Sequence, residues 1–355
     1  MSKQKSITFG KLEIGGPRTV IIAEIADSHN GSVKTAKKMV DEIACAGADV
    51  AKFQLHLPDI EMVPNSINMW DGDLSEILKR NLFTIEMHKE MMKYCEKVGV
   101  EYLCTPFCPS AVDILEEIGV KAFKTGSGEL TNIPMHRKLA RISASTGKAV
   151  IVSTGMSVVG EIEDTVRVYR TEGALKNLVL MNCTSEYPPT DYQNANLGFI
   201  GKLKVLYGVH VGQSDHTMDN FTCFGAMAYR PAVLEKHFTL DRTQDGPDHA
   251  IALEPEHLCD LVEGVRKLEN AFGSERTVTE EEKKVRGWAH HSIVTACDIG
   301  KRTILTPDNL IPKRPGSGIP TRFIDPTHDH SKQILGRRAA HDISQDTILT
   351  WDMIR

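Results

Sequence analysis

Short apolar runs recur along the first two thirds of the chain, and many of them end in polar or charged residues. Val20–Ala23 precedes Glu24, and Val50–Ala51 precedes Lys52. Between the runs lie segments whose apolar residues recur at helical spacing and which close at a glycine, as the first does at Gly47. Strand and helix patterns therefore alternate, and this alternation predicts a parallel sheet covered by helices.

The pattern contains eight strand–helix units. The strands are predicted near residues 20–25, 50–55, 101–104, 121–125, 149–153, 177–183, 207–213 and 232–236. The helices are predicted over 32–47, 84–99, 109–119, 134–147, 157–169, 194–203, 217–228 and 254–272. Eight units favour closure into a (β/α)8 TIM barrel. An open doubly wound sheet is the main alternative, but no glycine-rich dinucleotide motif follows the first strand.

The composition changes after about Gly273, where a charged stretch leads into short β-like segments separated by dense turns. We expect a barrel domain over residues 1–280, a linker over 281–290 and a small β-rich domain over 291–355. A β-rich domain of about 60 residues is marginally stable alone, so it is expected to pack against another surface.

Charge and composition exclude several classes of function. The 42 Lys and Arg residues against 47 Asp and Glu give a net charge of −5, which provides no basic surface for nucleic acid. The apolar runs are too short to cross a bilayer, and the polar N-terminus lacks the apolar stretch of a secretory signal. Eight cysteines without paired CxxC spacing predict reduced thiols. A cytoplasmic enzyme is the expected class.

Two histidines are the candidate metal ligands. His216 and His237 follow the seventh and eighth predicted strands, so their imidazoles are expected to converge over the barrel mouth. Two neutral imidazoles with open positions suit a catalytic divalent metal. The alternative is a pair of hydrogen-bonded structural histidines, and the neighbouring Asp215 and Lys236 favour the site.

Cations, hydroxyls and carboxylates occupy other strand ends. The cations and hydroxyls form a candidate phosphate site of Lys52, Lys124, Ser127, Ser153 and Ser214. Lysines that extend to solvent at the barrel rim are the alternative. Gly126 and Gly128 would let the chain approach a ligand closely. Glu24, Glu129 and Asp248 supply carboxylates for proton transfer or hydroxyl binding.

A series of short sequence motifs, taken in chain order, resembles that of the N-acetylneuraminate (sialic acid) synthase family. The strings are Ile22–Glu24, His29–Gly31, Lys52–Gln54, Cys104–Phe107, Lys124–Glu129, Ser153–Met156, Cys183–Pro188, Ser214–Thr217, Glu235–Thr239 and Gly246–His249. The tail around Lys313–Ile319 resembles the antifreeze-like (SAF) domain, a β-clip fold, that follows the barrel in the bacterial members. The resemblance covers nearly the whole chain.

The resemblance implies a transferase that condenses phosphoenolpyruvate (PEP) with an open-chain N-acyl hexosamine, giving a nine-carbon 2-keto acid and phosphate. It assigns the phosphate and carboxylate of PEP to Lys52, Lys124, Thr105, Ser127, Ser153 and Ser214. It assigns the sugar to Glu24, Gln54, Tyr187 and Asp248, with Phe107 and Ser185 completing the substrate site. Proton transfer falls to Glu24 or Glu129, with Lys52 and Lys124 as the catalytic cations.

The resemblance also implies a cofactor and a partner. His216 and His237 would hold a divalent metal, Mn²⁺ first, with Mg²⁺ or Co²⁺ as alternatives. Arg314 would bind the N-acyl oxygen from the partner subunit of a domain-swapped homodimer. No nucleic-acid or membrane partner is expected.

Departures from the family pattern leave the sugar open. They are Asp27–Ser28 in the first loop, His290–Ser292 at the start of the tail, and the segment Pro58–Phe83. N-acetylmannosamine is the first expectation; its phosphorylated form and the diacetamido sugars of legionaminic and pseudaminic acid synthases are alternatives. A synthase for shorter keto-deoxy sugar acids and a non-catalytic carbohydrate-binding protein are the remaining hypotheses.

Overall fold

The apolar runs fold as parallel strands, which confirms the predicted barrel. The computed structural model describes residues 4–63, 74–189, 191–246, 248–325, 327 and 330–355. Its strands are, in chain order, β1 (Ile7–Phe9), β2 (Leu12–Ile14), β3 (Val20–Glu24), β4 (Val50–Leu55), β5 (Glu101–Pro106), β6 (Ala122–Thr125), β7 (Ala149–Ser153), β8 (Leu178–Cys183), β9 (His210–Asp215), β10 (Val233–His237), β11 (Ser292–Thr295) and β12 (Leu310–Lys313). Parallel hydrogen bonding gives the order β5-β4-β3-β10-β9-β8-β7-β6. At the ends of this order, β5 and β6 have Cα atoms within 8 Å of each other, so the sheet closes.

Helices follow the barrel strands along the chain, and the last helix belongs to the second unit. They are α1 (Val33–Ala46), α2 (Pro58–Glu61), α3 (Leu74–Asn81), α4 (Ile85–Val98), α5 (Pro109–Ile118), α6 (Ile133–Thr146), α7 (Val159–Thr171), α8 (Gly198–Tyr207), α9 (Phe221–Ala226), α10 (Pro255–Ala271) and α11 (Glu280–Ala289). Ser32 caps α1 by accepting a hydrogen bond from the Thr35 amide at 3.2 Å, and Gly47 ends it with a positive φ of 77°.

Helix α8 begins later than the apolar pattern predicted. Asn196 has a φ of 43°, a left-handed conformation that cannot continue a helix, so the segment Tyr192–Ala195 forms a separate 3-10 turn. The regular helix therefore starts at Gly198 instead of residue 194. Helices α2 and α3 were not predicted; they lie in the divergent segment 58–83, of which residues 64–73 are outside the described part.

Two apolar layers hold the barrel together. Because side chains alternate along a strand, one set of residues fills the barrel interior and the other meets the helices. The interior set includes Ile22, Val50, Leu103, Ile151 and Val179, all fully buried. The outer layer is a second, larger cluster between strands and helices. The interior set lies toward the strand starts, which leaves the strand ends available to polar side chains.

An antiparallel hairpin closes the N-terminal end of the barrel. Strands β1 and β2 pair from Ile7 opposite Ile14 to Phe9 opposite Leu12. Phe9 and Ile14 are fully buried within the same cluster as the interior residues of the barrel. The hairpin was not predicted, because strands of three residues give too short an alternation to detect.

The second unit comprises Gly273–Arg355, and the first Met1–Phe272. Helix α11, capped by Thr279, occupies most of the predicted linker 281–290. Strands β11 and β12 pair antiparallel over a core that includes Ile293, Leu305 and Leu349. The other predicted β segments take part in isolated bridges, such as Ile304 with Arg338.

Two further expectations concern cysteines and membranes. All eight cysteines lie outside disulfides, and their reduced state stays a prediction. Among the described helices, none combines the length and apolar character that crossing a bilayer requires.

We expect Phe9→Ala to destabilise the barrel by about 3 to 5 kcal/mol, because it opens a cavity at the closed end. Thr8→Ala is the matched control, since Thr8 is the exposed neighbour on the same strand, and it should change the free energy of unfolding by less than about 0.5 kcal/mol. Urea unfolding followed by circular dichroism measures both. A loss of unfolding free energy for Phe9→Ala as small as that for Thr8→Ala would show that packing of the hairpin does not stabilise the barrel.

Candidate active site

The polar strand ends meet in one cavity of ≈ 370 Å³ at the C-terminal face of the barrel. The lining residues with predicted roles are Glu24, Lys52, Gln54, Thr105, Phe107, Lys124, Ser127, Glu129, Ser153, Ser185, Tyr187, Ser214, His216, His237 and Asp248. Strand register produces this convergence: Glu24 lies opposite both Lys52 and His237 on neighbouring strands. The predicted meeting of these side chains is confirmed, and their individual roles stay predictions.

Buried charges form the floor of the cavity. Lys52 contacts the Glu24 carboxylate directly. Glu235 Oε1 lies 3.3 Å from Lys52 Nζ and 3.4 Å from Lys124 Nζ, and it accepts a hydrogen bond from Ser214 Oγ at 3.0 Å. Burial lowers the pKa of Lys52 to about 8, although Glu235 opposes this shift. Burial would raise the pKa of Glu235, but Lys124 and Lys52 outweigh it and lower that pKa.

Hydroxyls and close backbone complete an anion site beside the lysines. Lys124 Nζ donates to Ser153 Oγ at 2.6 Å and to the Thr125 carbonyl at 3.0 Å. The Gly155 amide donates to Ser127 Oγ at 3.1 Å, and a Cβ at Gly155 would lie 2.3 Å from Ser185 Oγ. A larger residue there would displace the serine hydroxyls, so the Gly155 backbone and these hydroxyls lie close together. Two cations surrounded by small donors suit a phosphate or carboxylate.

The imidazoles of His216 and His237 face each other with ring centroids 5.3 Å apart. His216 Nδ1 donates to the Thr184 carbonyl at 2.7 Å, so the neutral ring would carry its lone pair on Nε2. Burial holds the pKa of His237 well below its usual range, so this ring is neutral. Tyr187 packs against both rings, at 4.3 Å and 6.2 Å.

This donor set fits a metal that takes most of its ligands from substrate and water. Among the described residues, no cluster of three or more His, Cys, Asp or Glu side chains is arranged to hold an ion. The protein thus offers two imidazoles, as open catalytic sites do with few protein ligands. The buried Nδ1 of His237 has no hydrogen-bond partner within the described structure and lies 3.8 Å from Asp248 Oδ1.

Besides Asp27, whose pKa is also raised by burial, two carboxyl groups in the cavity have raised pKa values. Burial raises the pKa of Glu129 to about 7, and its Oε2 atom is buried without a hydrogen-bond partner among the described residues. Burial, together with the nearby Asp27, raises the pKa of Asp248 to about 6. At neutral pH both groups are therefore able to exchange protons, as general acids and bases must.

The cavity also contains side chains that were not predicted as site residues. They are Asp27, His56, Leu78, Met156, Cys183 and Glu235. Glu235 was detectable from strand alternation, because it lies two residues before His237 and so faces the same side. The same rule corrects the interpretation of Asp215 and Lys236, which pair with each other among Thr217 and Cys223 outside the cavity. Neither residue lines the cavity, and their ion pair lies in the barrel wall.

Arg314 lies in the second unit, where its guanidinium is 5.7 Å from the centre of the Trp288 ring. Its expected contribution to a neighbouring barrel stays a prediction.

Comparisons with known proteins agree with the geometry. The NeuB family model matches residues 39–277, and the SAF domain model matches residues 290–355. An uncharacterized protein of Methanocaldococcus jannaschii is 37% identical, with 98% of each chain covered. The N,N'-diacetyllegionaminic acid synthase of Campylobacter jejuni is 34% identical over 94% of this chain and 99% of its own.

A solved structure gives the same result. The N-acetylneuraminic acid (sialic acid) synthetase of Leptospira borgpetersenii, crystallised with citrate, is 29% identical and has a TM-score of 0.71. The match covers 79% of this chain and 95% of the Leptospira chain. The sequence strings, the barrel cavity and the matched domains agree, and the chain belongs to the NeuB family and carries a C-terminal SAF domain.

Proposed function

We propose that this protein is a nonulosonic acid synthase that condenses PEP with an open-chain N-acyl hexosamine, releasing phosphate. The observation that carries the proposal is a single cavity in which an anion site built on Lys52 and Lys124 adjoins the paired imidazoles of His216 and His237. A synthase of this class needs both halves, since one substrate is an anionic enol ester and the other an aldehyde.

In the proposed reaction, C3 of PEP attacks the sugar aldehyde carbon, and the new C–C bond forms as the aldehyde oxygen becomes an alkoxide. Water then adds to C2 and loses a proton, and the C2–O bond to phosphate breaks, which leaves a 2-keto acid. Lys52 and Lys124 hold the anionic donor and balance charge on the departing phosphate. Glu129, with its pKa near 7, supplies the alkoxide proton or accepts one from water.

His216 and His237 would hold a divalent cation, Mn²⁺ first with Mg²⁺ or Co²⁺ as alternatives, whose chemistry when bound is Lewis-acid polarisation of the aldehyde. The neutral His237 ring and the free Nε2 of His216 support this assignment. On the sugar side, Gln54, Tyr187 and Asp248 line the cavity as hydroxyl and amide partners.

Two sugars are the leading candidates. N-acetylmannosamine is the first, supported by the sequence strings and by the Leptospira synthetase. A 2,4-diacetamido-2,4,6-trideoxyhexose is the second, supported by the identity to the Campylobacter legionaminic acid synthase. The localisation we propose is the cytoplasm.

A panel of N-acyl hexosamines with bridge-labelled [18O]PEP tests the reaction. We expect one sugar to give a nine-carbon keto acid, and the label to leave entirely in phosphate because the C–O bond breaks. Mass spectrometry of both products measures this. Arabinose 5-phosphate and erythrose 4-phosphate are the controls, and turnover of either in preference to every N-acyl sugar would indicate a shorter-chain synthase.

The same assay tests the metal. Chelation should abolish phosphate release, and added Mn²⁺ should restore it in the wild type but not in His237→Ala, which lacks one of the two imidazoles. Full activity in that variant would exclude the metal assignment.

Lys52 should set an alkaline limit on PEP use. Because burial lowers its pKa to about 8, Lys52 is charged below that pH and neutral above it, so kcat/KM for PEP should fall as pH rises through about 8. In Glu235→Gln the anion that favours charged Lys52 is gone, so the fall should begin about one pH unit lower. Profiles of kcat/KM from initial rates measure this shift. An unchanged limit would separate Lys52 from PEP binding.

The swapped dimer is tested by mixing two inactive variants, Arg314→Ala and Lys124→Ala. If the tail completes the partner's barrel, random exchange makes half of the dimers mixed, each with one intact site, and about a quarter of the wild-type activity returns. Activity is measured before and after subunit exchange, with each variant alone as the control. No recovery, with exchange verified by native mass spectrometry, would place each tail on its own barrel.

A further inference from the structure

His56 lies in the cavity wall just after β4 and makes three defined contacts. Its Nδ1 is 2.6 Å from Glu61 Oε1, and its Nε2 is 2.9 Å from Gln54 Oε1. The ring stacks on Phe107 with centroids 3.9 Å apart and planes at 18°. The side chains of His56 and Glu61 are only 10% and 7% exposed, so solvent competes weakly for these contacts.

The orientation of the Gln54 amide follows from its other neighbour. Gln54 Nε2 donates to Glu24 Oε1 at 3.2 Å, and an ionised carboxylate can only accept. The amide oxygen must therefore face His56, so Nε2 of His56 carries a hydrogen. The Glu61 carboxylate requires the same of Nδ1. In this arrangement each ring nitrogen of His56 faces an oxygen that accepts a hydrogen bond.

Glu61 is itself fixed by a second contact. Its Oε2 accepts a hydrogen bond from the Leu57 amide at 2.9 Å, at the start of helix α2. One carboxylate thus holds both the helix start and the histidine ring. The contacts with Glu61 and Gln54 and the stack on Phe107 together fix the orientation of the His56 ring.

Carboxyl groups from three other loops face the same ring. Asp27 follows β3, Glu129 follows β6 and Asp248 follows β10, and His56 lowers the pKa of each against the larger raising effect of burial. These carboxyl groups place the His56 ring in an acidic part of the cavity.

We propose that Glu61, His56 and Gln54 form a relay in which His56 is a positioning residue that fixes the Gln54 amide toward the acceptor sugar. One amide N–H contacts Glu24, and the second is left for a sugar oxygen. Without a donor at His56, the amide loses the contact that holds its oxygen away from Glu24. The inference rests on the proposed function, because it assigns the relay to sugar binding and leaves PEP binding to the lysines.

Kinetics with separated substrates test the relay. His56→Phe keeps the stack on Phe107 but removes both donors, so the KM for the sugar should rise by about tenfold or more, as for loss of a charge-assisted hydrogen bond. The KM for PEP should stay within about twofold, since the lysine contacts are untouched. Glu61→Gln, which keeps the size but not the charge, should raise the sugar KM by a smaller factor. Equal changes in both KM values, or none, would overturn the proposal.

His88→Phe is the matched control. His88 is a buried histidine whose Nδ1 pairs with the Tyr102 hydroxyl at 2.7 Å, outside the cavity. It should leave both KM values near those of the wild type. A sugar-specific effect as large as that of His56→Phe would show that loss of any buried histidine causes it.

Nitrogen-15 spectra of histidine-labelled protein give a readout independent of activity. At pH 7 we expect both nitrogens of His56 to carry hydrogens in the wild type, one bonded to Glu61 and one to Gln54. A neutral His56 ring at pH 7 would overturn the relay. If no sugar is turned over by the wild type, the proposed function fails, while these spectra still decide the state of His56.

Discussion

The site depends on one buried carboxylate placed between two buried lysines. The side chains of Glu235, Lys52 and Lys124 are 6%, 5% and 1% exposed, and Glu24 beside Lys52 is 1% exposed. Charges so far from water are tolerated only in pairs, and loss of one partner leaves the other uncompensated. Two cations and two anions balance here, so the barrel can fold with its ligand site intact. An incoming anion then gains its affinity by sharing lysines that are already held in position.

The barrel makes this arrangement possible by separating apolar from charged layers. Interior residues near the strand starts, such as Ile22 and Val50, close over the β1–β2 hairpin. One alternation further along the same strands come Glu24 and Lys52. Because neighbouring strands are in parallel register, a residue two positions further along faces the same interior on every strand. The apolar layer excludes water from below, which is why burial moves so many pKa values in the layer above it.

Much of the fold and of the site could be predicted from the sequence, because strand–helix units recur along the chain and many of the strands end in polar residues. Each strand end carries its own signal, and the strings around Lys124 and His237 lie where alternation places them. The sequence motif Glu235–His237 does not by itself single out Glu235 as a site residue. Strand alternation does, because Glu235 and His237 face one side of the strand and Lys236 faces the other. The hairpin, the break at Asn196 and the contact of His56 with Glu61 depend on three-dimensional neighbours or on single dihedral angles. The apolar periodicity of the sequence contains no signal for such features.

The environment of each carboxyl group also decides between the two candidates for proton transfer. The Glu24 carboxylate contacts Lys52 and accepts a hydrogen bond from Gln54, so both of its oxygens already have polar partners. Among the described residues Glu129 makes no ion pair within 4 Å, keeps a buried oxygen without a hydrogen-bond partner, and has a pKa raised to about 7. When two acids in one cavity differ in this way, the ionised group orients and stabilises, and the raised one transfers the proton. For the proposed reaction we therefore assign the alkoxide proton to Glu129 and the sugar side of the cavity to Glu24.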